Sequence, residues 1–406
     1  MTNFTDFNLS PSLLKALPEN ITRPTTIQQL AIPPALNKQD ILALAQTGSG
    51  KTLAFGLPLI HTISAPKQAI QALIIVPTRE LANQIETNLS VIATSLAITT
   101  VTLCGGVSQA SQLDKVRAGA QLIIATPGRL SDLLQQQLLD MQHCQQVVLD
   151  EADRLLEMGF WPEVTSIISQ LPRHQAMLFS ATLNPNLESN AHQLLKQPVT
   201  LQAHSRNSAV DTIKERLYLV NKGSKAKALQ WLIERNNWSQ ILVFISARDS
   251  ADAFAKKLRK AGLDATALHG EKDQQQRQLT LSQFKEKTLR IIVATDVLAR
   301  GIDIESLPVV INLDLPSNAP VYVHRIGRTA RAGQQGLAIS LISHSEMDAL
   351  SAIRKLTERE LPVEQLAEFP VTDKPASATS KRAPRDKQAN RRTTKRRNER
   401  RKKPRD

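Results

Sequence analysis

Two patterns of apolar positions alternate along the first half of the chain. Short runs such as "ILALA" (41–45), "ALIIV" (72–76), "QLIIA" (121–125), "QVVLD" (146–150) and "AMLFS" (176–180) predict strands buried on both faces. The longer stretches between them, residues 81–92 for example, repeat apolar positions at helical spacing. Strands alternating with helices predict a parallel sheet covered by helices. After the polar "AHSRNSAV" (203–210) a second series begins: "ILVFI" (241–245), "ATAL" (265–268), "RIIVA" (290–294), "VVINL" (309–313) and "LAISLI" (337–342). The expected fold is α/β, with two tandem parallel-sheet domains. Its expected limits are an N-terminal segment over 1–34, a first domain over 35–204, a linker over 205–212 and a second domain over 213–368. From 369 to 406 the apolar pattern stops, and that tail is expected to be disordered.

Charge changes this picture in one place. The chain carries +14, but residues 372–406 hold 15 Lys and Arg against 4 Asp and Glu, which leaves the remainder at 36 against 33. The body is nearly balanced, and the basicity belongs to the tail. Cys104 and Cys144 stand alone with no C-x-x-C pair, which suits buried thiols in a reducing compartment better than a disulfide or a zinc site. No run approaches the roughly 18 apolar residues that span a bilayer, and the opening "MTNFTDFNLS" lacks a basic region followed by an apolar one. A cytoplasmic monomer with no membrane partner is the expectation.

Two segments carry candidate chemistry. "AQTGSGKT" runs from Ala45 through Gln46, Thr47, Gly48, Ser49, Gly50 and Lys51 to Thr52, between the first strand and a helical stretch. In that setting Gly48 and Gly50 let the backbone turn tightly and aim its N–H groups inward, and the following helix adds its positive end. Such a turn binds nucleotide phosphates, with Lys51 reaching the β- and γ-phosphates and the Thr52 hydroxyl binding Mg²⁺. Ala45 stands where the usual pattern has its first glycine. "VVLDEADRLL" (147–156) ends a buried strand in three carboxylates, Asp150, Glu151 and Asp153, which repel one another. Following a phosphate loop, Asp150 is placed to hold Mg²⁺ through a water, and Glu151 to orient and deprotonate an attacking water. The alternative is that the acids only cap a helix start, an effect of about 0.3–1 kcal/mol.

With "DEAD" at 150–153 and the phosphate loop before it, the chain resembles the DEAD-box RNA helicases over roughly residues 4–361, and its motifs come in that family's order. The resemblance implies two RecA-like domains across a cleft, ATP and Mg²⁺ as cofactors, and RNA as partner. "RPTTIQ" (23–28) is similar to the segment that reads adenine through Gln28. Phe4 matches the upstream aromatic, and Ile21 replaces the aromatic that stacks on the base. Implied RNA contacts are Pro77, Thr78 and Arg79 of "PTREL", the pair Gly105 and Gly106, and Thr126 and Arg129 of "TPGR". Arg79 falls in the first turn of a helix, an unfavourable place for a cation unless an anion such as RNA phosphate sits there. "SAT" (180–182) implies that the Ser180 and Thr182 hydroxyls bond Asp153 and couple the nucleotide site to the RNA site.

In the second half "VFISAR" (243–248) and "HGEKDQQQR" (269–277) take the family's places, with Gln274 and Arg277 matching. "ATDVLARGID" (294–303) implies Thr295 for RNA and Asp303 for the nucleotide ribose. "HRIGRTARAG" (324–333) brings His324 as a coupling residue, with Arg325, Arg328 and Arg331 at every third position and Ala330 for the commoner glycine. Like charges so crowded call for an anion opposite, and Arg328 and Arg331 are implied fingers on the γ-phosphate. Aromatics make up only 3% of the chain, so contact mainly with phosphates and sugars is expected rather than base stacking. The basic tail is expected to grip RNA loosely, or else to hold a protein partner. Two rivals stay open: an enzyme of the same fold acting on DNA, and an RNA clamp or annealing scaffold without strand separation.

Overall fold

The computed structural model describes residues 2–45, 48–65, 67–203, 213–296, 307–329 and 336–373. The first sheet contains β1 (Ile41–Leu44), β2 (Ala72–Ile75), β3 (Thr100–Leu103), β4 (Leu122–Ala125), β5 (Gln146–Leu149), β6 (Gln175–Ser180) and β7 (Val199–Gln202). The second contains β8 (Ile213–Leu219), β9 (Ile241–Phe244), β10 (Ala265–Leu268), β11 (Ile291–Ala294), β12 (Val309–Asn312), β13 (Gly336–Ile342) and β14 (Val363–Gln365). Strand orders are β3-β4-β2-β5-β6-β1-β7 and β10-β11-β9-β12-β13-β8-β14. Every pairing is parallel. Adding seven to each strand number turns the first order into the second, so the two expected α/β domains share one topology.

The inner strands β2, β4, β5, β6, β9, β11 and β12 are buried at every position, which is why their sequences read as unbroken apolar runs. The pattern is most broken in β3, β7, β8 and β14. They lie at or next to a sheet edge and turn residues such as Thr100, Thr200, Lys214 and Glu364 at least partly toward solvent.

The N-terminal segment is part of the first domain. Phe4, Phe7, Leu13 and Ile27 share one core with Ile41, Ala43 and Phe55, and the helix Thr26–Leu36 runs across the limit expected between 34 and 35. The tail also begins later than expected. Phe369 packs edge-on against Trp231 at 6.0 Å, and Asn221 Oδ1 accepts from the Thr372 and Asp373 N–H groups at 2.9 Å each. Residues 374–406 and the linker over 205–212 lie outside the described residues. No described helix is long and apolar enough to cross a membrane.

In a parallel sheet all strand ends of one kind share an edge, and ligands bind beyond the carboxyl ends. Because β5, β6 and β1 are neighbours, that edge brings together the "DEAD" turn, the "SAT" turn and the glycine-rich loop.

Candidate nucleotide and RNA site

Gly50 closes the glycine-rich loop with φ +93°, and a Cβ there would stand 2.6 Å from Gln28 Nε2 and 2.8 Å from Thr25 Oγ1. Only glycine combines that backbone with that approach. Gly50 is the N-cap of the helix Lys51–Thr62, whose first turn has no side-chain cap, as an anion-binding helix end requires. Gln46 and Thr47 lie outside the described residues. Gly48, Gly50, Lys51 and Thr52 line a cavity of about 510 Å³ together with Asp150, Glu151 and, from the second domain, Arg328. Ile21 and Pro18 wall another part of it.

Each of the three repelling carboxylates has its own cation or donor. Lys51 Nζ lies 3.9 Å from Asp150 Oδ1, and Arg154 Nη1 donates to Glu151 Oε2 at 2.6 Å. Asp153 Oδ2 accepts from Thr182 Oγ1 at 2.8 Å, from the Thr182 N–H at 3.1 Å and from His324 Nε2 at 3.2 Å. Ser180 behaves differently from the expectation: its hydroxyl donates to the Thr182 carbonyl at 2.7 Å, so it braces the turn rather than touching Asp153. Burial pushes the Asp150 carboxyl up to about 6, with Lys51 pulling down and Glu151 pushing further up. For Asp153 burial also acts upward, but His324, Arg154 and Lys51 outweigh it and hold the carboxyl below its ordinary range. Burial and the Arg154 charge lower the His324 pKa, with Asp153 acting against them, and the imidazole serves Asp153 as a donor.

Lys51 Nζ is buried with no hydrogen-bond partner among the described residues. An unpartnered ammonium beside an under-compensated carboxylate fits a phosphate chain carrying a divalent cation. No cluster of three metal-ligating side chains exists among the described residues, so Mg²⁺ would rest on Asp150 and Thr52 with phosphate and water oxygens completing its shell.

Of two expected nucleotide contacts, one is partly engaged by protein groups and the other lies away from the cavity. Gln28 is 2% exposed; its Oε1 accepts from the Thr25 N–H at 2.9 Å and its Nε2 donates to the Gly50 carbonyl at 3.0 Å. The amide thus ties the helix start at Thr25 to the phosphate loop, leaving one N–H and one lone pair for a base. Phe4 is buried edge-on against Phe7 at 6.1 Å and does not line the cavity.

The implied RNA contacts of the first domain follow β2, β3 and β4, on the same sheet edge. Pro77 and Thr78 lead into the helix Arg79–Ser95, and Thr78 Oγ1 caps it by accepting from the Leu81 N–H at 3.3 Å. Arg79 lies across Gly106, where φ is +73° and a Cβ would come within 2.2 Å of Nη1. Gly105 faces open space. Thr126 is the N-cap of the helix Pro127–Gln135, and Arg129 donates to Gln112 Oε1 at 2.7 Å and to the Val107 carbonyl at 3.1 Å, which fixes its guanidinium beside the two glycines.

In the second domain Thr295 is 4% exposed, and its buried hydroxyl has no partner among the described residues. Arg325 does not join Arg328 on an anion. It is 2% exposed, pairs with Asp296 through Nε at 2.5 Å and Nη2 at 2.8 Å, and donates to Asn312 Oδ1 and the Asp314 carbonyl. Its anion is internal. Asp303, Ala330 and Arg331 lie outside the described residues.

Contacts that join the domains include His324 to Asp153, Asn318 Nδ2 to Glu157 Oε1 at 2.7 Å, and Arg277 to Glu80. Sequence reasoning did not single out Glu157, Asn318, Glu80 or Arg154.

A family model described as DEAD/DEAH box helicase matches residues 25–189, and one described as helicase conserved C-terminal domain matches 224–333. The ATP-dependent rRNA helicase RRP3 of Candida albicans is 38% identical over 364 residues, covering 89% of this chain and 68% of that protein. The chain belongs to the DEAD-box helicase family. The human protein named probable ATP-dependent RNA helicase DDX23 is 37% identical over 378 residues, covering 84% of this chain and 46% of its own length. This DEAD-box chain therefore spans about half the length of the first curated relatives it matches. Among solved structures, S. cerevisiae Dbp5 bound to RNA and ADP BeF3 superposes with a TM-score of 0.83 at 30% identity, covering 90% of this chain and 96% of that one.

Proposed function

We propose that the protein is an RNA-stimulated ATPase that binds RNA across both domains and locally separates short duplexes. One observation carries this reading. Arg328 of the second domain lines the same cavity as Gly50, Lys51, Asp150 and Glu151 of the first, so a triphosphate there meets both domains at once.

In this reading Lys51 and the first-turn N–H groups of the helix Lys51–Thr62 bind the phosphates, and Arg328 reaches the γ-phosphate from the far side, joined by Arg331. Glu151 orients a water and takes its proton on a carboxylate oxygen as the water attacks. Mg²⁺, when bound, offsets phosphate charge and polarises the phosphoryl group. Gln28 reads adenine with its remaining donor and acceptor, and Ile21 gives the base an apolar rather than an aromatic wall. Asp303 holds the ribose.

RNA phosphates would lie along Arg79, Gly105, Gly106, Thr126 and Arg129 of the first domain and reach Thr295 of the second. Asp153 joins the two sites, because Thr182 and His324 bond the same carboxylate oxygen from opposite domains. RNA bridging both domains favours closure, closure completes the ATP site, and the strained strand leaves its complement. The likeness to Dbp5 with RNA and a nucleotide supports RNA as the partner. A cytoplasmic setting and a basic tail that adds RNA grip or holds a protein partner belong to the same proposal.

The test is steady-state ATP hydrolysis with short RNA duplexes, matched DNA duplexes or neither, with strand separation followed on the same samples. RNA-specific stimulation with strand release is expected. Stimulation without release leaves an RNA clamp, and equal stimulation by DNA removes the RNA assignment.

A further inference from the structure

Arg154 has no part in the scheme above. It is 0% exposed and sits in the six-residue helix Ala152–Glu157, three positions after Glu151. Its Nη1 donates to Glu151 Oε2 at 2.6 Å, while Nε and Nη2 have no hydrogen-bond partner among the described residues. Burying a guanidinium with so few partners is costly, and an apolar side chain of similar length would fill the space without that cost.

Glu151 is costly in its own way. It occupies the left-handed region at φ +53°, a conformation that costs a residue with a Cβ about 1–2 kcal/mol. Its N–H donates to Asp150 Oδ1 at 2.9 Å, which fixes the backbone. Arg154 then fixes the other end, the carboxylate. Two unfavourable placements meet in one short bond.

We propose that Arg154 is a positioning residue for Glu151. It holds Oε2 so that the carboxylate plane is set by the protein and the other oxygen is presented to the attacking water. This inference rests on Glu151 being the base. It differs from simple charge balance, which Lys51 could supply, because it requires a contact at one oxygen of one carboxylate.

The test uses the full chain with Arg154→Met, Arg154→Lys and each of these combined with Glu151→Gln, in RNA-stimulated ATP hydrolysis. With Arg154→Met, kcat should fall about 10- to 100-fold, the range for a misaligned catalytic group, while the ATP KM and the RNA half-saturation stay within about twofold. Arg154→Lys keeps a single-point donor, as the single Nη1 contact requires, and should recover most of that loss. In the Glu151→Gln background Arg154→Met should lower kcat by no more than about twofold, because the group it positions is already gone. An equal fold loss in both backgrounds would show that Arg154 acts independently of Glu151. A shift in KM or RNA half-saturation at constant kcat would assign it to binding. Either result overturns the proposal. Should Arg154→Met fail to fold, Arg154→Lys decides: rescue is read as kcat within about threefold of the parent at unchanged KM, and the same fold loss in Glu151→Gln sinks the idea. If Glu151→Gln alone turns over like the parent, the assignment of the base has failed instead.

Discussion

Removing Arg277 should open the protein without weakening either domain. In the closed arrangement Arg277 pairs with Glu80 across the cleft, and their side chains are 6% and 9% exposed. Burial lowers the Arg277 pKa, with Glu80 acting against it, so the pair has been taken largely out of water. In Arg277→Ala the closed form keeps Glu80 buried without its cation, whereas separation of the domains returns it to water. Truncating one side of a buried charge pair costs about 2–5 kcal/mol. Glu80 also lies in the first turn of the helix Arg79–Ser95, where the helix end favours an anion. That partial compensation argues for the lower bound. About 2 kcal/mol against closure is about 30-fold. At saturating ATP the RNA concentration for half-maximal hydrolysis should therefore rise by that factor, and an interdomain fluorescence-transfer signal should need correspondingly more RNA. Urea unfolding of the two domains should be unchanged, because neither loses an internal contact. The charge swap Glu80→Arg with Arg277→Glu should restore part of the loss. A half-saturation within threefold of the parent, with the domains intact, would refute the claim that this pair contributes to closure.

Two further predictions address the second domain. Arg328→Ala should lower RNA-stimulated kcat by about 10³-fold or more, the range for an arginine finger, and retention of near-parental turnover would remove Arg328 from the γ-phosphate. Lys225 Nζ donates to Glu346 Oε2 at 2.5 Å and to the Leu313 carbonyl at 2.8 Å. Burial raises the Glu346 carboxyl, but Lys225 and the Ser343 bonds outweigh it and hold the pKa below its ordinary value. A carboxylate with a depressed folded pKa contributes stability that is full above its unfolded pKa, near 4.5, and fades as pH falls through the folded value. Lys225→Met should cost about 1–3 kcal/mol at neutral pH, because the half-buried carboxylate keeps its Ser343 and Leu315 donors but loses its cation. The acid transition of this domain, followed by circular dichroism, should move to higher pH; an unshifted transition would refute the pairing.

The strands buried on both faces, the glycine-rich turn and the order of the motifs were legible in the amino-acid sequence, because each depends on residues next to one another. An apolar run such as Ala72–Ile75 can only satisfy its backbone and bury its side chains inside a sheet. Edge strands such as β3 and β14 were not legible, because a half-exposed strand reads like a loop. The sequence placed Asp150, Glu151 and Asp153 in one turn, but not the partners that let them share it. Those come from Lys51, almost 100 residues earlier, from Arg154 one turn on, and from the His324 imidazole in the other domain. Tertiary structure likewise decided that Arg325 faces Asp296 rather than phosphate, and that the Gln28 amide braces Gly50. The reason is physical. Backbone pattern is local, whereas the partner of a buried charge is chosen by distance and desolvation, and these exist only once both sheets have formed and their carboxyl edges have met.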